Sequence, residues 1–202
     1  MDNRLAAIIA HDIKNSLGVL EGELHAMTID PSRELAVAAH ETCAAMRERL
    51  VGFLTLYKAS CGALSAHGEA VDVEGFLSRA GQRACRLWPH LDIRCDAGSG
   101  PAALWFFDEH LVELALDAAM QNAARFARSA IVIGAHIQEG GLALTVADDG
   151  PGLGTAEEKP STGLGMALCA AIAQAHRRGT QVGRVGLQND ARGGVLFTLR
   201  LP

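Results

Sequence analysis

HDIKN at residues 11–15, VADDGPGLG at 146–154 and TGLGMALC at 162–169, in that order, decide the architecture of this 202-residue chain. The first lies in a stretch of helical periodicity near the amino terminus. The other two are glycine-punctuated loops, where the missing Cβ lets backbone turn sharply and approach a flat ligand. Around HDIKN, Leu5, Ile9, Ile13, Leu17, Leu20, Leu24 and Met27 recur every three or four residues and predict one helix over 3–28. Asp30-Pro31-Ser32 interrupts it, with Ser32 as N-cap and Glu34 in the first turn of a second helix. That helix runs to about Tyr57, with Leu35, Ala39, Cys43, Met46, Leu50, Phe53 and Tyr57 on one face. Two long helices joined by a tight turn make an antiparallel hairpin. Alone it cannot bury both apolar stripes, so a second copy completing a four-helix bundle is expected.

The small-residue stretch from Cys61-Gly62 to His67-Gly68 is a linker by composition, which divides the chain into 1–60, 61–69 and 70–202. Beyond it the pattern turns to mixed α/β. Helices are predicted at about Val73–Leu87, Asp108–Ala127 and 164–177. Strands are predicted near Leu91–Cys95, Ala103–Phe107, Ile131–Gln138, Leu142–Ala147, Gly183–Gln188 and Val195–Leu201. Period-two runs such as IVIGAHI and LALTV imply a sheet covered on one face. The fold class is α+β, a long helical hairpin followed by an α/β sandwich.

A net charge of -5 argues against a nucleic-acid partner, which needs a basic surface. The five cysteines show no C-x-x-C spacing and are expected to be buried thiols, neither a disulfide frame nor a zinc site. No apolar run reaches the roughly 18–20 residues of a bilayer span, and no basic-then-apolar leader opens the chain. A cytoplasmic location with no membrane contact by this segment is expected, the chain standing alone or as the soluble part of something longer.

His11 lies two positions from Ile9 and Ile13, roughly 160° round the helix, so it should face outward. Asp12 can fix the imidazole tautomer and sharpen the opposite nitrogen as a nucleophile. Asn15, one turn on, shares the His11 face. An incidental surface histidine is the competing interpretation of position alone. In the first glycine loop a strand ends in Asp148-Asp149 and turns through Gly150-Pro151-Gly152. A carboxylate there can accept from an exocyclic amine such as adenine offers, although a tight turn alone would also use these residues. Thr162, Gly163, Leu164 and Gly165 open a helix whose free N–H groups suit phosphate. Late in the preceding long helix, Asn122 offers a neutral oxygen suited to Mg2+, and Arg125 offers charge to a phosphate tail.

As an ordered set these residues resemble the catalytic core of bacterial two-component sensor histidine kinases. That family pairs a dimerisation and phosphotransfer hairpin with a Bergerat-type ATP-binding domain. The resemblance covers essentially the whole chain. It rests on an H-box (His11, Asp12, Asn15), an N-box (Asn122, Ala123, Arg125, Phe126), a D-x-G-x-G box (Asp148, Gly150, Gly152) and a second glycine box (Gly163, Gly165). Gly193-Gly194 before LFTLRLP is also typical of the family. The resemblance implies ATP and Mg2+ as cofactors, His11 as phosphoacceptor, Asp12 polarising it, and Asn15 serving the reverse, phosphatase reaction. It implies Asn122 holding the metal, Asp148 reading the adenine amine, a homodimer through the hairpin, and a response-regulator receiver domain as partner. If membrane-anchored, the chain would be the soluble part of a longer sensor.

Departures from the family pattern are Ser16 for proline after the H-box, Ala118 for the first N-box asparagine, and Ser161 for the first glycine of the second glycine box. The lid between Gly152 and Gly163 is short and contains no phenylalanine. One rival is a degenerate relay that carries phosphate without binding ATP, which the short lid favours and the intact glycine boxes oppose. Another is a serine/threonine kinase on the same nucleotide fold, which would not need a histidine face on a dimerising hairpin. ATP-hydrolysing relatives place a glutamate where this chain has Ala118, so simple hydrolysis is disfavoured.

Overall fold

The computed structural model describes residues 3–96, 104–154, 163–191 and 193–202, with backbone alone for 3–10 and for Asp12. Two compact units emerge, Met1–Ala63 and Leu64–Pro202.

The first unit is a hairpin of α1 (Asn3–Ile29) and α2 (Arg33–Ser60), each about 40 Å long at 1.5 Å per residue. Ser32 caps α2 by accepting the Leu35 N–H at 3.1 Å, with Glu34 in the first turn, as its sequence signature predicts. The helices are pinned across by Arg49 donating to Ser16 Oγ (3.2 Å) and Thr42 Oγ1 donating to Glu23 Oε1 (3.1 Å). The apolar seam read from the sequence divides in two. Ile13, Leu20 and Met27 are half-buried, whereas Leu17, Leu24, Leu50 and Tyr57 stay exposed. The seam is wider than the contact one partner helix can cover.

The second unit opens with β1 (Glu69–Asp72) and α3 (Val73–Leu87), followed by β2 (Asp92–Asp96), β3 (Leu104–Phe107) and α4 (Glu109–Phe126). Next come β4 (Ala130–Gln138), β5 (Gly141–Asp148) and α5 (Leu164–Ala175), then a small hairpin of β6 (Arg177–Arg178) and β7 (Gln181–Val182), and last β8 (Arg184–Asn189) and β9 (Val195–Leu201). The main sheet runs β2-β4-β5-β9-β8, with β2 parallel to β4 and the other pairs antiparallel. Helices α3, α4 and α5 pack against this sheet, and β1 pairs antiparallel with β3 apart from it. Neither β1 nor the β6–β7 hairpin was expected from the sequence.

Residues directly opposite in a ladder share a face. Ile133, Val146 and Phe197 form one buried row, Leu144 and Leu199 another, and Leu142 and Leu201 a third. Counting by twos along β5 from Leu142 through Leu144 and Val146 ends on Asp148. The strand's period therefore delivers a carboxylate to the end of the apolar face, and Asp148 is only 7% exposed.

The cysteine expectation is corrected. Cys43, Cys61, Cys85 and Cys95 are exposed, and Cys169 alone is buried. Cys61 caps the end of α2, and Cys95 lies on the sheet's edge strand, its Sγ donating to the Leu77 carbonyl of α3 at 3.5 Å while the residue as a whole stays exposed. Among the described residues no helix is long and apolar enough to cross a membrane.

Candidate functional site

In the first unit His11 is exposed on α1, and Asn15, one turn on, is within hydrogen-bond reach, its Nδ2 standing 3.2 Å from His11 Nδ1. An amide nitrogen only donates, so in this arrangement Nδ1 accepts and the ring proton sits on Nε2. A half-turn of the Asn15 amide presents Oδ1 instead, which would accept an Nδ1–H and leave Nε2 with a free lone pair. The Asp12 side chain lies outside the described residues.

In the second unit the sequence motifs come from separate elements, and two hydrogen bonds fix how α4 and α5 register them. Cys169 Sγ on α5 donates to the Ala115 carbonyl on α4 at 3.3 Å. Seven residues back along α4, the Asp108 N–H donates to His176 Nε2 at 3.1 Å, seven residues forward along α5. The helices are therefore antiparallel and in step, and the same step taken the other way brings Asn122 to within one residue of the level of Gly163, the N-cap of α5. Asn122 and Arg125 are exposed on the polar side of α4, opposite Leu116, Ala119, Met120 and Ala123 in the core. Asp117 is turned toward α3, where Arg83 holds it at 3.3 Å.

Gly163 caps α5 in the left-handed region (φ 68°) and, having no side chain, leaves the first amides of the helix without a side-chain cap. Among the described residues, a Cβ at Gly163 or Gly165 would meet nothing within 4 Å. Leu164 is half-buried, and Thr162 lies outside the described residues.

Asp148 closes the third side. Its Oδ1 accepts the Gly150 N–H at 2.8 Å and the Val195 N–H at 3.3 Å, and its Oδ2 takes part in neither bond. Burial pushes this carboxyl above its ordinary value against the pull of those amides, and the charges of Asp149 and Asp190 push the same way. Gly150 is required by close packing, since a Cβ there would stand 2.6 Å from the Phe126 carbonyl at the end of α4. Gly152 is required by backbone, at φ +86°. Gly150 thus ties the Asp148 loop to the same end of α4 that carries Asn122 and Arg125.

Three positioning contacts were not read from the sequence, which offered Asp149 only as a strand end and Gly194 only as a family trait. Asp149 accepts from Arg128 N (2.7 Å), Ser129 N (3.0 Å) and Ser129 Oγ (2.6 Å), stapling the loop after α4 to the end of β5. Asn189 Oδ1 accepts the Leu153 N–H at 2.6 Å. Gly194 lies against Asp148, whose carbonyl any Cβ there would overlap. Each acts through a residue at least twenty positions away, so no local spacing announces it.

The residues present fit a nucleotide: a buried carboxylate with one oxygen outside its internal bonds, a helix N-terminus with no side-chain cap, and a polar helix face near it. Among the described residues no cluster of three His, Cys, Asp or Glu could cage a metal. A metal here would be held by few protein groups and by the phosphates themselves, the usual habit of Mg2+.

Residues 107–202 match the family model described as histidine kinase-, DNA gyrase B-, and HSP90-like ATPase. Over 99% of its length the chain is 28% identical to the sensor protein KdpD of Escherichia coli K12, covering 24% of that protein. Over 98% it is 26% identical to the sensor-type histidine kinase PrrB of Mycobacterium tuberculosis H37Rv, covering 47%. The chain thus spans from about a quarter to just under half of the length of these relatives. The solved ATP-binding domain of PrrB from M. tuberculosis is 30% identical, with 67% of this chain and 96% of that one aligned at a TM-score of 0.54. The histidine kinase AdeS of Acinetobacter baumannii shares the fold at a TM-score of 0.72, with 20% identity over 95% of this chain and 96% of that one. With an exposed histidine on a helical hairpin, and a second unit that carries the ATP-binding domain of these proteins, the chain belongs to the sensor histidine kinase family.

Proposed function

We propose that this chain transfers the γ-phosphoryl group of ATP to His11 and passes it to an aspartate of a response-regulator receiver domain. The observation that carries this is the exposed His11 imidazole with the Asn15 amide at 3.2 Å, on a chain that also holds the ATP-binding domain. Residues 1–60 serve as the phosphotransfer hairpin and 70–202 as the catalytic domain, with 61–69 the linker about which they reorient.

With the Asn15 amide turned, Oδ1 holds the Nδ1 proton and Asp12, next along, polarises the ring. The Nε2 lone pair forms the N–P bond while the bond from γ-phosphorus to the β,γ-bridging oxygen breaks, and ADP leaves with that electron pair. Asp148 Oδ2 accepts from the adenine amine, with Gly150 and Gly152 holding the course of the loop beside it. The amides of Leu164 and Gly165, with Thr162 and Gly163 before them, receive the phosphates. Asn122 is the oxygen donor for Mg2+, which when bound neutralises triphosphate charge, and Arg125 adds a fixed cation nearby. Asp117, engaged by Arg83, is not aimed as a base for water, which favours transfer over hydrolysis. In the second transfer the receiver carboxylate attacks phosphorus, the N–P bond breaks and the imidazole is restored.

The test is incubation with γ-labelled ATP and Mg2+, comparing the parent with His11→Gln. Acid-labile label on the parent and none on the variant is expected. Acid-stable label would mean a hydroxyl acceptor and end the histidine reading. A parent that binds no ATP analogue would leave only the relay.

A further inference from the structure

We propose that Asn189 is a positioning residue that sets nucleotide affinity by fixing where the glycine loop leaves β5, without itself touching nucleotide. The inference rests on the nucleotide reading above. Asn189 is the last residue of β8, and its ladder partner is Val195, the first of β9. Val195 donates its N–H to Asp148 Oδ1 at 3.3 Å, at the loop's entry. Asn189 accepts the Leu153 N–H at 2.6 Å, at the loop's exit. One pair of facing residues therefore grips both ends of the D-x-G-x-G loop.

The grip is itself braced. The Asp190 N–H donates to the Gly194 carbonyl at 3.1 Å and the Gly193 N–H to the Asp190 carbonyl at 3.0 Å, closing the turn between β8 and β9. At the loop, Gly152 holds φ +86°, and a Cβ there would stand 3.0 Å from the same Asn189 oxygen. Leu153 lies beyond the last residue of β5 and is exposed, so neither ladder nor apolar cover orders its peptide. The Asn189 carboxamide oxygen does that instead. Without it, the exit peptide at Leu153 would have to be ordered when nucleotide binds. An ordering cost taken at binding appears as weaker affinity, with less effect on the rate at saturation.

Asn189→Leu keeps the size and removes the acceptor, while Asn189→Asp keeps the acceptor. In the full chain, three quantities are measured: hydrogen exchange at the Leu153 amide, the Kd for a non-hydrolysable ATP analogue with Mg2+, and autophosphorylation at varied ATP. For Asn189→Leu, Leu153 exchange at least about tenfold faster and a Kd about tenfold weaker are expected, with KM moving more than kcat. Asn189→Asp is expected to recover the Leu153 protection and most of the affinity. Faster exchange at Leu153 with parental Kd overturns the inference, as does a weaker Kd with exchange unchanged. A parent that binds no analogue overturns the nucleotide reading and this inference with it.

Discussion

Asp148 and Asp149 are neighbours in sequence with opposite surroundings. Asp148 completes the buried row of β5, and burial pushes its carboxyl upward. For Asp149 burial also works upward, but the Ser129 hydroxyl and the amides of Ser129, Ala130 and Arg128 outweigh it and hold the carboxyl well below the ordinary value. A carboxylate depressed in the folded state contributes stability above its unfolded value of 3.8 and loses it as pH falls through that value toward the folded one. Asp149→Ala should therefore cost about 1 kcal/mol at pH 7, the lower end of the range because the group is partly solvated. The deficit against the parent should shrink below pH 4. Urea unfolding at pH 7 and pH 3 measures both, and an equal deficit at the two values would show that the Asp149 charge contributes nothing. The glycines divide in the same way: Gly194→Ala, which would overlap the Asp148 carbonyl at φ +81°, should unfold well before Gly186→Ala, which meets nothing within 4 Å.

The helices and long strands were legible because their apolar spacing is their reason for existing. α3 was expected at Val73–Leu87 and is found there, and β9 was expected and found at Val195–Leu201. The pieces that were not legible have no period to read. In β1 only Val71 is buried, and β6 and β7 have two residues each, so their pairing is decided by neighbours in space. The same holds for the contacts that fix α4 against α5 at the end away from the site. His67, Asp108 and His176 are far apart in sequence, yet Asp108 Oδ2 accepts the His67 N–H at 2.9 Å while its own N–H donates to His176 Nε2. His176 Nδ1 donates to the Ile172 carbonyl at 2.8 Å, so both ring nitrogens are engaged. Asp108 is also the N-cap of α4, accepting the Leu111 N–H at 3.0 Å through Oδ1. Asp108→Ala should cost about 1 kcal/mol of stability through the lost cap. Exchange at the Leu111 and His67 amides should quicken together, since one carboxylate serves both. Acceleration at Leu111 alone would separate the helix cap from the anchor on His67.

For the molecule as a whole, the hairpin carries an apolar surface that its own two helices do not cover. Leu17, Leu24, Leu50, Leu54 and Tyr57 are each more than two-fifths exposed. Single exposed leucines are ordinary, but a stripe along both helices of one hairpin marks an interaction face. A second copy of the same hairpin supplies the same stripe under a two-fold axis, which is the simplest way to cover it. Covering a leucine fully is worth roughly 1.5–3 kcal/mol. Leu24→Glu with Leu54→Glu removes two leucines from each protomer and places like charges across the axis. The double variant should weaken self-association by at least about a hundredfold, since covering the exposed half of the four leucines of a dimer is worth roughly 3–6 kcal/mol at 1.4 kcal/mol per decade. Light scattering at tens of micromolar should then give a dimer for the parent and a monomer for the variant, while nucleotide binding by the second unit stays at the parental value. That last measurement separates loss of the bundle from loss of folding. A parent that is monomeric at this concentration would leave the stripe to some other partner and remove the four-helix bundle from the account.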